Sequence, residues 1–124
     1  MELPRSRVFV VDDEQVIAFT LAAILNQSGF SAVPFTDPLA ALEAAASDPP
    51  NLLISDVMMP QLTGIELAVQ VTAKLRDCKV LLFSGQAATA GLLDAAREHG
   101  RDFVLLSKPV HPTDLLSAIQ KLTT

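Results

Sequence analysis

The chain has 124 residues, half of them apolar, which is the size of one ordinary domain with enough hydrophobic material for its own core. Nine Lys and Arg stand against fourteen Asp and Glu, a formal charge of -5 that repels phosphate backbones and argues against direct nucleic-acid binding. A lone cysteine, Cys78, excludes an internal disulfide and suits a reducing, cytoplasmic setting in which it serves as a small hydrophobe.

The opening residues Met1-Glu2-Leu3-Pro4-Arg5 lack the long apolar stretch of a signal peptide, and no later run is long enough to span a bilayer. The expectation is a chain with no membrane partner. From there, short β-branched runs alternate with longer Ala- and Leu-rich stretches, the pattern of helices crossing over between parallel strands buried on both faces. Five strands are predicted: Val8 to Val11, Ala32 to Phe35, Leu52 to Ser55, Val80 to Phe83 and Phe103 to Leu106. Helix starts are signalled by Asp37 before Pro38, by Thr63 followed by Glu66 as a capping box, and by Pro112 with Asp114. Gly29 and Gly100 mark helix ends, where a left-handed residue costs glycine little.

Five such βα units make an α/β fold, an open, doubly wound parallel sheet with helices on both faces. The flavodoxin-like strand order 2-1-3-4-5 is the common arrangement for five units, with ligands at the carboxyl ends where the order reverses. The polar residues that interrupt the apolar runs all fall at such ends. Asp12 and Asp13 follow the first strand, Asp56 the third, Ser84 the fourth and Lys108 the fifth. That strand order brings all five into one crevice.

Clustered carboxylates drive one another towards protonation unless a cation sits between them. Magnesium, which takes oxygen ligands and retains several waters, suits such a site, whereas no His or Cys cluster favours zinc. With the metal bound, Asp56 is the candidate nucleophile towards a phosphoryl group, because it stands alone on its strand end. Lys108 then pairs with one phosphoryl oxygen and Ser84 donates to another. Each residue also has an ordinary reading: Asp12, Asp13 and Glu14 as acids at a helix start, Asp56 as a loop or turn residue, Ser84-Gly85 as a turn, Lys108 as a solvated strand end. Their joint placement on successive strand ends favours the shared site.

These residues resemble the receiver domain of two-component response regulators over nearly the whole chain. Val10-Val11-Asp12-Asp13-Glu14 is similar to that family's acidic pair, and Ile54-Ser55-Asp56-Val57-Met58-Met59-Pro60, running on to Gly64, to its phosphoacceptor loop. Ser84-Gly85 and Lys108-Pro109 stand where the family has its hydroxyl residue and its lysine-proline step. The resemblance implies a phosphorelay switch rather than an enzyme with turnover. Asp56 would take a phosphoryl group from the phosphohistidine of a histidine kinase or histidine phosphotransfer protein. Asp13, Asp56 and the Met58 carbonyl would ligate Mg2+, and Asp12 would act mainly through a bound water. It also implies a cis Lys108-Pro109 bond, Met58 and Gln86 as tuners of phosphoryl lifetime, and a downstream protein reading the face of the fourth helix, fifth strand and fifth helix.

The pattern departs from the family near the fifth strand. The stretch from Gly100 to Lys108 is one residue longer than usual, and Leu105 lies three before the lysine, so Phe103 is the nearest candidate for an aromatic switch. It acts either as that ring or as a plain core residue. Gly91 inside the expected helix from Ala87 to His99 costs about 1 kcal/mol relative to Ala and makes that face easier to remodel. A phosphohydrolase of the haloacid-dehalogenase type is disfavoured, since its two aspartates stand two apart after the first strand and it carries a cap domain. A receiver-like module that is never phosphorylated is disfavoured by the intact acceptor set, and a flavin protein by the acidic first loop. The sequence ends at Thr124, soon after the fifth helix, so one receiver and no output domain is expected within it; a stand-alone protein and a piece of a longer regulator or hybrid kinase both stay open.

Overall fold

In the computed structural model, residues 6–85, 94 and 103–123 are described. Five strands form one sheet: β1 (Arg7–Val11), β2 (Ser31–Phe35), β3 (Leu52–Asp56), β4 (Lys79–Ser84) and β5 (Val104–Ser107). All neighbours are parallel, as the alternating pattern predicts, and the order is β2-β1-β3-β4-β5, the common arrangement expected for five units. Helices α1 (Gln15–Gln27), α2 (Pro38–Ser47), α3 (Gly64–Lys74) and a C-terminal helix (Pro112–Thr123) cover the two faces.

Strand alternation explains the layers, because successive side chains point to opposite faces. Val8, Val10, Leu52, Ile54, Leu81 and Phe83 pack with Leu21 and Leu25 of α1 and with Leu115 and Ile119 of the C-terminal helix. Phe9, Val11, Leu53, Val80 and Leu82 pack on the other face with Ala41, Ala45, Ile65, Ala68 and Val71 of α2 and α3. The three central strands β1, β3 and β4 are buried beyond their first residues and largely apolar because both of their faces are covered.

The helix ends follow their signals. Asp37 accepts the Leu39 N–H at 2.9 Å, with Pro38 in the first turn of α2. Thr63 and Glu66 form the reciprocal capping box at the start of α3. Gly29 follows α1 with φ +98°, a conformation that suits glycine. The last strand is shifted: β5 runs Val104–Ser107, whereas Phe103 to Leu106 was predicted, since the ladder with β4 begins at Leu81 opposite Val104. Phe103 lies just before it, half-buried against the cluster on the α2 and α3 side. The helix expected from Ala87 to His99 lies outside the described residues except Asp94, which is helical; Gln86, Gly91 and Gly100 lie outside them as well.

The edge at β2 has a particular finish. Ser31 donates to Ser6 and the Phe35 carbonyl accepts from Asp12, so the peptide groups of Ala32 and Pro34, alternating with these, face away from β1. Asn26 of α1 occupies both outward groups of Ala32, its Oδ1 accepting the N–H at 2.8 Å and its Nδ2 donating to the carbonyl at 3.2 Å. Pro34 has no N–H to offer. No helix among the described residues is long and apolar enough to cross a membrane.

Candidate functional site

The crevice where the strand order reverses is built from β1, β3, β4 and the residue after β5. A polar or charged residue ends each of these apolar runs: Asp56 is the last residue of β3, Ser84 the last of β4, Asp12 follows β1 and Lys108 follows β5. Asp13, Glu14, Asp56, Met58, Ser84, Gly85 and Lys108 line a cleft of about 230 Å³. Asp12 lies beneath it, fully buried, while Asp13 and Met58 are exposed at the rim.

Carboxylate oxygens of Asp12, Asp13 and Asp56 lie within 4.8 Å of one another. Lys108 Nζ donates to Asp56 Oδ2 at 3.1 Å and lies 3.9 Å from Asp12 Oδ2. Asp12 Oδ1 accepts the Glu14 N–H at 2.9 Å, but Asp12 Oδ2 is buried without a hydrogen bond. A buried carboxylate oxygen in that condition signals an electrostatic demand left unmet among the described residues.

The titration of these groups follows. Burial pushes Asp12 up to about 6; the Glu14 N–H and the Lys108 charge oppose the shift, and repulsion from Asp56 and Asp13 adds to it. Asp56 is raised by burial, against the hydrogen bond and charge of Lys108 and the Met58 N–H, with Asp13 again adding. Burial alone would lower Lys108, but its hydrogen bond to Asp56 and the pull of Asp56, Asp12 and Glu14 raise it. One ammonium is therefore shared between two acids and satisfies neither fully. Hard oxygen donors, close approach and an oxygen without a partner together fit a hard divalent cation.

The loop from β3 to α3 holds Asp56 in place. Gly64 donates its N–H to the Val57 carbonyl at 2.8 Å, and Ser55 Oγ donates to the Asp56 carbonyl at 2.9 Å. A Cβ on Gly64 would collide with that carbonyl and stand 2.9 Å from Ser55 Oγ. Gln61 has φ +72° while Leu62 N–H bonds back to the Pro60 carbonyl at 2.8 Å, a tight three-residue turn. The Lys108-Pro109 bond is cis.

The structure thus brings together Asp12, Asp13, Asp56, Met58, Ser84 and Lys108. It leaves Phe103 elsewhere: Phe103 packs on the α2 and α3 side of the sheet and does not line the cleft. Sequence reasoning missed Ser55, Gln61 and Phe83, whose ring lies beneath Lys108 with the ammonium 5.4 Å from its centroid. Cys78 is buried, which pushes its thiol up to about 11 and leaves it protonated at neutral pH.

The family model described as response regulator receiver domain matches residues 8–120. This chain belongs to that family. It is 33% identical over 116 residues to the response regulator receiver protein CpdR of Brucella abortus, covering 94% of this chain and 95% of CpdR. It is 31% identical over 120 residues to the transcriptional regulatory protein CreB of Escherichia coli, covering 97% of this chain but only 52% of CreB. Among solved structures, a response regulator receiver domain protein from Clostridium thermocellum shares the fold with a TM-score of 0.83 at 23% identity, over 94% of this chain and 93% of that one. Receiver domains work in phosphorylation-dependent two-component signalling, between histidine kinases and downstream effectors, as signalling domains rather than ordinary enzymes.

Proposed function

We propose that this receiver domain takes a phosphoryl group onto Asp56 from a phosphohistidine of a histidine kinase or phosphotransfer protein. The carrying observation is the placement of Asp56 at the end of β3, with carboxylate oxygens of Asp12 and Asp13 within 4.8 Å and Lys108 Nζ at 3.1 Å. Asp13, Asp56 and the Met58 carbonyl would hold Mg2+, with Asp12 behind a water. The ion, when bound, neutralises charge on both the acceptor and the incoming phosphoryl group.

The remaining steps belong to the chain. A carboxylate oxygen of Asp56 forms the new O–P bond while the P–N bond to the donor imidazole breaks, and the electron pair leaves with the imidazole nitrogen, which takes up a proton. The Met58 N–H and Lys108 fix the carboxylate before transfer. Lys108, on the rim of the same cleft, then pairs with a phosphoryl oxygen, and Ser84 donates its hydroxyl to another. The new dianionic group alters the charge at the ends of β4 and β5, which supports reading by a downstream protein on that side of the sheet.

Incubation with acetyl phosphate and magnesium, followed by intact mass measurement, tests the assignment. Wild type should gain the mass of one phosphoryl group and Asp56→Asn should gain none. Equal labelling of the two proteins would place the acceptor at another residue.

A further inference from the structure

We propose that Phe83 is a positioning residue for Lys108, its ring face holding the ammonium over the acidic cleft. The proposal rests on the reading of Asp56 as phosphoacceptor. A lysine ammonium is a compact point charge on a flexible four-carbon stem, and its charge alone does not fix where it points. Three groups surround this one: Asp56 Oδ2 at 3.1 Å, Asp12 Oδ2 at 3.9 Å and the centroid of the Phe83 ring at 5.4 Å. The last distance is within the range in which an aromatic face attracts a cation, and the attraction grows as water is excluded.

Phe83 is well placed for this role by its own constraints. It is fully buried on the same face of the sheet as Ile54, and its register partner on β3 is Asp56. On the side towards α1 it lines, together with Val16, Ile17, Leu21 and Lys108, an apolar cleft of about 500 Å³. An aliphatic side chain at this position would fill the core yet give the ammonium no attraction on that side. The lysine would then be held by the carboxylates alone, and the closer of those two contacts, the 3.1 Å bond to Asp56, is the one that changes when Asp56 becomes an acyl phosphate. The ring, like the longer contact to Asp12, does not change. It keeps Lys108 directed at the cleft while the partner oxygen switches from carboxylate to phosphoryl.

Replacing Phe83 with phenylalanines bearing one, two and three ring fluorines weakens the ring's negative face while nearly preserving its shape, and Phe83→Leu removes it. The rate of Asp56 labelling by acetyl phosphate with magnesium should fall stepwise through the fluorinated series and by about fivefold in Phe83→Leu, while the melting temperature of the fluorinated proteins stays near wild type. Independently of any labelling, the Lys108 side-chain proton resonances should show ring-current shifts in wild type that vanish in Phe83→Leu. A flat fluorine series, or Lys108 resonances without ring-current shifts, overturns the proposal. Absence of labelling in wild type, or equal labelling of Asp56→Asn, defeats the phosphoacceptor reading instead, and the resonance shifts then decide the placement of Lys108 alone.

Discussion

Asp12 keeps a carboxylate fully buried, with one oxygen on the Glu14 N–H and the other lacking a hydrogen bond. Its pKa, raised from 3.8 to about 6, means that the folded chain holds this proton more tightly than the unfolded chain does. The group therefore favours folding below about pH 4, and that contribution is lost as pH rises through about 6, a swing of about 3 kcal/mol. Asn at this position retains a side-chain oxygen for the Glu14 N–H and carries no charge. Without divalent ions, Asp12→Asn should be more stable than wild type by about 1–3 kcal/mol at pH 7.5, with the gap closing by pH 4, as read by urea unfolding. A variant less stable than wild type at pH 7.5 would contradict the burial argument.

At the scale of the element, the β3 to α3 loop determines where Asp56 stands. Gly64 is required there for space, because the Asp56 carbonyl and Ser55 Oγ occupy the volume a Cβ would need. Gly64→Ala should cost about 2 kcal/mol in thermal or urea unfolding and should slow labelling of Asp56, since the carbonyl that must give way belongs to the acceptor itself. Normal labelling with normal stability would show that the loop relaxes without moving the acceptor. Much of this architecture was legible beforehand. Strands buried on both faces are written as apolar runs, and a charged residue cannot continue such a run, so Asp12, Asp56 and Lys108 announced the strand ends. The start of β5 was misread because Phe103 is as apolar as the strand it precedes; only pairing with Leu81 distinguishes Val104 as the first rung. Asn26, Ser55 and Phe83 were missed because their partners are set by register and helix placement, which leave no periodic trace. The left-handed Gln61 gave no warning either, being neither Gly nor Asn.

For the whole molecule, repulsion among the three acids would couple folding to the binding of a cation. A ligand that binds only the folded chain stabilises it by about 2.7 kcal/mol at a hundred times its dissociation constant. Magnesium should raise the melting temperature clearly at pH 7.5 and far less at pH 5, where Asp12 retains its proton, and a shift of equal size at both values would locate the ion away from Asp12. The β2 margin of the sheet carries its own finish. Beyond β2, an arriving extended strand meets Ala32 already engaged by a side-chain amide and Pro34 with no donor, so the register it needs is blocked at two consecutive outward positions. Intermolecular sheet growth is therefore disfavoured on that flank. Asn26 and Pro34 act as a terminator: removing the Asn26 amide would free the Ala32 peptide group, and exchanging Pro34 for a residue with an N–H would restore the missing donor, turning a finished border into a template.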